Sequence, residues 1–378
     1  MSDLLFELLR ASLGGYSRLS KTLSPKEWQK LYDVAEKQAV VGVCMAGLEA
    51  LSNQEQRPPK ELLLNWIGIV QQIEQRDKVV SRQCLELQQK LEAAGLKYCI
   101  LKGQGNALMY GRINPQLSLL RQSGDIDVWV EGGFDKVLQY VLSVSPTEEV
   151  NEQHVHFHVF EDTEVELHFS PSRLSNPRFN RRLQKWFAEE AERQMNHRVP
   201  FGDGEIVMPT TDFNLVYQML HIYRHLFSEG IGLRQLMDYY VLLSTNTLTQ
   251  VERVYVLYHV NKFGLDSFAE ALMWMLGYVF HLNEATMLWK PSERRGRFLL
   301  SEVLQMENFG HGDNRFKLKA EDSHLKRYIQ TVKSKFRFIK YFPSETFWQP
   351  INYFWTFFEI RRVKRKARKL MLRAQGSC

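Results

Sequence analysis

The chain has 378 residues, of which 44% are hydrophobic and 24% charged, and this ordinary globular composition excludes a largely disordered or fibrous protein. Its length allows two or three domains. The formal net charge of +6 is concentrated near the C-terminal end, because residues 311–378 hold 17 Lys and Arg against 5 Asp and Glu, and the preceding residues are net acidic.

No apolar stretch reaches the roughly 20 residues that a membrane span needs. The first 15 residues include Asp3, Glu7 and Arg10, which are foreign to the apolar core of a signal peptide. The four cysteines are scattered and have no histidine at the spacing of zinc ligands, so they predict neither a disulfide framework nor a structural zinc site. We therefore expect a cytoplasmic protein with reduced thiols.

Residues 1–95 are predicted to form an α-helical N-terminal domain. Ser24 suits an N-cap, Pro25 suits the first turn of a helix, and Glu27 stands at the capping-box position, followed by apolar residues at helical spacing. The stretch that begins "PPKELLLNW" is expected to form one long helix or two, ended by Gly95.

Residues 96–210 have a different period and are predicted to form an α/β core. "LKYCILKG" and "GDIDVWV" are typical of short strands, and "HVHFHVFEDTEVELHF" alternates like a hairpin with its turn near residues 161–163. A helix and a loop fit between the first two strands, and "FDKVLQYVLSV" predicts another helix. Residues 211–378 return to helical spacing and form the predicted C-terminal helical domain with its basic tail. The predicted fold class is α+β, a mixed-sheet core flanked by helical domains.

Two aspartates, Asp125 and Asp127, interrupt the apolar run "GDIDVWV". Side chains two residues apart on a strand point to the same side, so these carboxylates are neighbours. They repel each other unless a cation lies between them, and such oxygen ligands suit Mg²⁺ or Mn²⁺. We expect a third acid from the strand "TEVELHF", with Glu166 as the first choice and Glu164 as the alternative. Three acids of this kind are typical of two-metal chemistry at phosphorus.

The stretch "LKGQGNAL" suits the phosphate end of a substrate. A strand is expected to end at Lys102 and Gly103, and a helix to begin just after Gly105. Glycine lets the backbone approach a phosphate closely, and a helix N-terminus presents free N–H donors. The glycines alone are a weak signal, and the aspartate pair that follows them strengthens it.

The motifs "ILKG", "RQSGDIDVWV" and "VELHF" together resemble the nucleotidyltransferase superfamily typified by DNA polymerase beta. More narrowly, the chain is similar to the bacterial group described only as uncharacterised nucleotidyltransferases, relatives of the transferases of type IV toxin–antitoxin systems. That similarity extends over most of the chain and includes "FELLRASL", "HIYRHLFSEGIGLRQLMDYYVLL" and "ENFGHGDNRF".

The resemblance implies an enzyme that transfers a nucleoside monophosphate from a nucleoside triphosphate to an acceptor, with Mg²⁺ or Mn²⁺ as cofactor and pyrophosphate as leaving group. It implies that Asp125 and Asp127 bind both metal ions and that Glu166 holds the ion that activates the acceptor. A glycan, a peptide, a protein side chain or a tRNA end would offer a suitable hydroxyl or phosphate, and the sequence favours none of them.

The resemblance also implies that Arg121, Ser123 and the backbone at Gly103 contact the triphosphate. One position departs from the family pattern, since the usual Gly-Ser or Gly-Gly pair is Gly103-Gln104 in this chain. We therefore expect Lys102 or Ser123 to replace the missing serine hydroxyl at the phosphate turn.

Three histidines, His154, His156 and His158, alternate along one predicted strand face. Zinc needs ligands that converge, whereas histidines along one strand are spaced about 6–7 Å apart. We therefore interpret them as part of a polar or solvated sheet face.

Two groups of polar residues follow the core. His221, Arg224 and His225 lie within about one helical turn, where a substrate contact and an interhelical hydrogen bond are equally good interpretations. Arg234 and Asp238 have the i, i+4 spacing of an ion pair within one helix. That pair is the first interpretation, and substrate contacts at the cleft are the second.

The C-terminal segment "YFPSETFWQPINYFWTFFEIRRVKRKARKLMLRA" joins an aromatic stretch to a basic helix. Val363, Ala367, Leu370 and Met371 fall on one side of it. Three interpretations stay open: a helix packed on the protein itself, a helix at the inner face of a membrane, and an arm that binds RNA or another polyanion.

Two functions compete with a working nucleotidyltransferase. One is a scaffold that binds nucleotides but has lost turnover. The other is a toxin-like transferase that modifies tRNA. Transfer of a labelled nucleotide that is lost on substitution of Asp125 and Asp127 separates an enzyme from the scaffold. Growth arrest on expression, with labelled tRNA in a cell extract, would identify the tRNA modifier.

Overall fold

The structure, a computed structural model, describes residues 1–53, 55–145, 147, 149–306 and 324–375. It confirms the predicted α+β class, because helices precede and follow a small mixed sheet. The stretch "ENFGHGDNRF" lies outside the described residues. In the part of the chain described, no helix combines the length and apolar character required of a membrane span.

Four helices come before the sheet, and they are α1 (Ser2–Ser12), α2 (Pro25–Lys37), α3 (Val41–Ala50) and α4 (Lys60–Ala93). The predicted capping box is present, since the backbone N–H and hydroxyl of Ser24 both donate to Glu27. Helix α2 ends where Ala39 adopts a positive φ of 56°. The stretch after Pro59 forms one 34-residue helix, and Gly95 follows its end with φ 67°.

The segment that forms the central sheet contains four strands, two short helices and one longer helix. In chain order these are β1 (Tyr98–Ile100), α5 (Gln104–Tyr110), α6 (Leu117–Leu120), β2 (Ile126–Val130), α7 (Gly133–Val144), β3 (His154–His156) and β4 (Val165–His168). The strand order is β1-β2-β4-β3. Strand β2 is antiparallel to β1 and parallel to β4, and β3 and β4 form the predicted hairpin. Helix α5 begins at Gln104, one residue before Gly105, rather than after it.

Helix α8 (Pro177–Met195) and a hairpin of β5 (Arg198–Phe201) and β6 (Gly204–Val207) complete the segment before residue 210. Neither feature was predicted from the sequence. Charged residues dominate α8 and its buried apolar residues are few, chiefly Leu183, Trp186 and Phe187. Each strand of the second hairpin has only four residues, which is too short for a clear alternation.

The C-terminal helices are α9 (Thr211–Ser228), α10 (Leu233–Ser244), α11 (Gln250–Lys262), α12 (Asp266–Phe280), α13 (Glu293–Met306), α14 (His324–Phe336) and α15 (Pro343–Gln375). Helix α9 is buried on nearly all sides and packs beside the core. Trp186 of α8 stacks on Phe213 of α9 with ring centroids 4.4 Å apart. This packing fixes α9 against the core and places its polar side chains beside the sheet.

Helix α15 is anchored in the protein at its first turn and continues along the surface. The buried Glu345 accepts hydrogen bonds from Ser175 and from Tyr223 of α9. Further along, Ala367 is buried and Lys366 forms an ion pair with Asp135 of α7. Val363, Leu370 and Met371 are half-buried, so the side of the helix predicted to be apolar does face the protein.

Candidate active site

Three neighbouring strands present their polar side chains on one face of the sheet. In the register of the sheet, Asp127 of β2 is opposite Glu166 of β4, and Glu166 is opposite His156 of β3. The intervening residues Val128 and Leu167 are fully buried on the other face. The two-residue period of each strand therefore brings together side chains from distant parts of the sequence.

The structure brings together the three acids that the sequence singled out. Carboxylate oxygens of Asp125, Asp127 and Glu166, the acidic triad, lie within 4.8 Å of one another. Asp127 is 4% exposed, whereas Asp125, just before β2, is more accessible. Glu164, the alternative third acid, instead has an oxygen 2.8 Å from Nδ1 of His156. It is therefore Glu166 that meets the aspartate pair.

Asp127 is held by two basic groups. Its Oδ2 atom is 2.8 Å from Nζ of Lys102, and its Oδ1 atom is 2.9 Å from Nε2 of His168. Burial opposes ionisation of this carboxyl, but Lys102 and His168 outweigh it and hold the pKa of Asp127 below its ordinary value. Lys102, predicted to meet phosphate, is thus ion-paired within the site.

The pKa values of the aspartate pair move in opposite directions. The charge of Asp127, together with burial, raises the pKa of Asp125 to about 6. Glu166 lies 3.2 Å from Nε2 of His168 and 3.1 Å from Nδ1 of His154. Three carboxylates in close contact repel one another, so this arrangement favours a bound dication.

The acidic triad lies on the wall of a cavity of about 220 Å³, which also has guanidinium groups in its lining. These belong to Arg121, to Arg224 of α9 and to Arg234 of α10. Among the described residues, Nη1 of Arg121, Nε of Arg224 and Nε of Arg234 are buried and have no hydrogen-bond partner. The cavity therefore combines grouped carboxylates with N–H donors that suit an anion.

The prediction that Asp238 pairs with Arg234 needs correction. Asp238 does not pair with Arg234 within its helix; it accepts a bidentate ion pair from Nε and Nη2 of Arg121, at 2.8 Å each. Arg234 instead donates to the backbone oxygen of Gln122 at 2.8 Å. Arg121, which was predicted to contact the triphosphate, lines the cavity, and its Nη1 atom has no hydrogen-bond partner among the described residues. The helical spacing was misleading because the tertiary partner is a stronger, bidentate one.

Ser123, predicted to contact the triphosphate, lies beside the cavity. Its hydroxyl lies 2.8 Å from Asp77 of α4 and 2.9 Å from the side-chain oxygen of Gln104, and Ser123 is not part of the cavity lining. Gln104, the residue that departs from the family pattern, donates to Asp77 and to Ser81. These residues therefore anchor the turn at Gly103, the glycine turn, to α4. Asp77 gave no signal in the sequence beyond being a charged residue within a helix.

Both histidines of α9, His221 and His225, lie at the cavity. His225 binds Glu229, one turn later, and Arg224, at 2.9 Å each. Burial, with a smaller effect from Lys102, holds the pKa of His221 well below its ordinary value, so this ring is neutral at pH 7. His221, Arg224, His225 and Glu229 all line the cavity.

Several residues at the site had no role predicted from the sequence. His168 bridges Asp127 and Glu166, and Glu229 is part of the cavity lining. His168 follows Glu166 by two residues, so the strand period does place it on the polar face. Asn106 and Gln218 bond to each other across the lining, and nothing in their sequence surroundings indicates this pair.

Comparisons with known proteins address the class of the enzyme. A family model described as "Uncharacterised nucleotidyltransferase" matches residues 24–281, which is about two thirds of the chain. Searches of curated proteins and of solved structures returned no match. The matched residues include the whole acidic triad and the arginines of the cavity. The chain therefore belongs to this family and is an enzyme of the nucleotidyltransferase class.

Proposed function

We propose that the protein transfers a nucleoside monophosphate from a nucleoside triphosphate to an acceptor hydroxyl or phosphate, with Mg²⁺ or Mn²⁺ as cofactor. One observation carries the proposal: three carboxylates from two strand segments meet within 4.8 Å at a cavity that also presents guanidinium donors. The glycine turn before α5 and the mixed sheet support placement in the DNA polymerase beta-like superfamily.

The donor set fits a magnesium-type ion. Asp125, Asp127 and Glu166 offer only oxygen ligands, and those ligands face a cavity with room for water and phosphate oxygens. When bound, a divalent cation supplies positive charge that neutralises the triphosphate and orients it for in-line attack. The three carboxylates would hold it, while Lys102 stays close enough to Asp127 to balance their charge.

The phosphates are proposed to bind along the arginines of the cavity. Arg121, Arg224 and Arg234 line the cavity, and each has a buried N–H donor without a hydrogen-bond partner among the described residues. The backbone at Gly103 and the ammonium of Lys102 line the same cavity. The acceptor oxygen then bonds to the α-phosphorus and pyrophosphate leaves toward this cationic side.

Transfer of a radioactive nucleotide tests this function. The purified protein is incubated with each α-³²P nucleoside triphosphate, Mg²⁺ and separate protein, tRNA and glycan fractions. We expect label to appear in one fraction with release of pyrophosphate, and to be lost in an Asp125→Asn/Asp127→Asn variant. Triphosphate binding without transfer to any fraction would contradict the proposal and favour a scaffold, whereas label in tRNA would identify the toxin-like alternative.

We further propose that α15 associates with an anionic membrane surface. Phe347, Phe354 and Trp355 are 63%, 57% and 66% exposed. The basic stretch follows directly, with a surface groove lined by Phe358, Arg361, Arg362, Arg365, Lys366, Arg368 and Lys369. Exposed aromatic rings beside cationic side chains match the headgroup region of a bilayer that contains acidic lipids.

Vesicle co-sedimentation tests the membrane proposal. We expect binding to vesicles of phosphatidylserine with phosphatidylcholine, weaker binding to phosphatidylcholine alone, and loss of binding in a Phe354→Ser/Trp355→Ser variant. Leu64→Ser, at a residue 59% exposed on α4, is the matched control and should bind as before. Binding to tRNA without binding to vesicles would contradict the proposal and favour a polyanion-binding arm.

A further inference from the structure

A second group of metal-ligand side chains lies beside the acidic triad, on the β3–β4 hairpin. This hairpin cluster consists of His156 of β3, Glu164 just before β4 and Glu166 on β4. One ligand atom from each of the three lies within 4.8 Å of the other two. Neither His156 nor Glu164 lines the active-site cavity. The cluster is therefore a separate place on the sheet that shares one carboxylate with the triad.

The contact between His156 and Glu164 is close but is not aligned as a hydrogen bond. Their Nδ1 and Oε1 atoms are 2.8 Å apart. Even so, within the described ranges Nδ1 of His156 has no hydrogen-bond partner, because this contact does not have the geometry of a hydrogen bond. Two ligand atoms that lie this close without a hydrogen bond between them are placed as two ligands of one ion would be.

Two further histidines position Glu166, the third residue of the cluster. Glu166 is paired with His156 in the hairpin register. Its Oε2 atom lies 3.1 Å from His154 and 3.2 Å from His168. These two imidazoles orient the Glu166 carboxylate, as outer partners of metal ligands commonly do.

We propose that His156, Glu164 and Glu166 bind a transition-metal dication, with Zn²⁺ as the first candidate. One imidazole and two carboxylates form a nitrogen–oxygen donor set that suits zinc, whereas Mg²⁺ prefers oxygen alone. Ligand atoms around a tetrahedral zinc lie roughly 3–3.5 Å apart, so small side-chain rotations bring the cluster to that geometry. Glu164 has a side chain that is 60% exposed, which gives the ion access and leaves a position for water.

The location of the cluster gives the ion a structural effect. It would join β3 to the start of β4 and hold Glu166, whose carboxylate also belongs to the acidic triad. The histidines that looked unsuited to zinc along one strand become suitable because the other ligands come from the paired strand. The proposal does not depend on which nucleotide the enzyme uses.

Zinc affinity of the whole chain, measured by competition with a chromogenic chelator after metal removal, tests the proposal. We expect one bound equivalent in the wild type and at least about tenfold weaker binding in His156→Gln/Glu164→Gln. His158→Gln is the matched control, because His158 follows His156 by two residues, after the end of β3, and is 53% exposed. This control should bind zinc as tightly as the wild type.

A second variant separates the cluster from the active site. Asp125→Asn/Asp127→Asn should keep zinc affinity while losing Mg²⁺-dependent nucleotide binding. The single Glu164→Gln, at an exposed position, replaces the double variant if the latter does not fold. Zinc should also raise the melting temperature of the wild type more than that of Glu164→Gln. Unchanged affinity after substitution of the cluster, or loss of zinc only in the aspartate variant, would overturn the proposal.

Discussion

Arg121 and Asp238, 117 residues apart in the sequence, form a buried ion pair with two contacts of 2.8 Å. The pair joins the segment before β2 to α10, and so links the sheet to the C-terminal helices that complete the cavity. Tyr110 of α5 donates a further hydrogen bond to the same carboxylate at 2.9 Å. Each partner is only about 5% exposed. The pair therefore fixes the distance between the acidic triad and the arginines across from it.

Removing one charge of this pair should destabilise the protein strongly. Asp238→Asn leaves a buried guanidinium without its counter-charge, which costs about 3–5 kcal/mol in the free energy of unfolding. Urea denaturation followed by circular dichroism measures the loss. The matched control is Glu189→Gln, since Glu189 pairs with Lys185 at 3.6 Å on the exposed face of α8. Such a surface pair contributes about 0–1 kcal/mol, so equal losses in the two variants would contradict the structure.

Helix α3 should not tolerate a methyl group at Gly47. A Cβ atom there would lie far inside contact distance of the backbone oxygen of Leu8 in α1, so the two helices would have to move apart. We expect Gly47→Ala to cost about 1–3 kcal/mol in the free energy of unfolding. Gly68→Ala in α4 is the control, because a Cβ atom there meets nothing within 4 Å, and it should stabilise by about 0.5–1 kcal/mol. A neutral Gly47→Ala would show that α1 and α3 are not in backbone contact.

The arginines should discriminate triphosphate from monophosphate. Arg234→Met removes a charge-assisted donor from the cavity, which we expect to weaken triphosphate binding about ten- to a hundredfold. Binding of the monophosphate should change much less. Isothermal titration with both nucleotides measures the difference. Arg181→Met, on the exposed side of α8, is the control and should leave both affinities unchanged. Equal effects on the two nucleotides would place the phosphates elsewhere.

Binding of Mn²⁺ to the acidic triad should weaken in acid. The pKa of Asp125 is raised to about 6 by Asp127 and by burial, so this carboxyl is ionised above that pH and gains a proton below it. An ion must displace that proton, and its affinity therefore falls as the pH drops from 7 to 5, approaching about tenfold per pH unit. Electron paramagnetic resonance of free Mn²⁺ measures this affinity. An affinity that is independent of pH over this range would contradict the raised pKa of Asp125.

The strands and the acidic triad were predictable because their signals are local or periodic. The two-residue alternation alone placed Asp125 with Asp127, and Glu166 with His168, on one face of a strand. The capping box at Ser24 identified the start of α2. We expected β4 to lie beside β2, and the two strands are paired in parallel.

Partners that are distant in sequence were not predictable. The i, i+4 spacing suggested Arg234 for Asp238, but Arg121 makes the better bidentate contact and no single-sequence pattern identifies it. Ser123 was assigned to the triphosphate from a resemblance. Its hydroxyl contacts Asp77, a residue whose role depends entirely on how α4 packs against the glycine turn. Helix α8 was not predicted because its few apolar residues are separated by many charged ones.

The most direct test of the central claim is a crystal structure with a non-hydrolysable nucleoside triphosphate and Mg²⁺. We predict metal density about 2.0–2.1 Å from carboxylate oxygens of Asp125, Asp127 and Glu166, with the phosphates toward Arg224 and Arg234. A metal bound away from these carboxylates, or a triphosphate bound outside their cavity, would contradict the account.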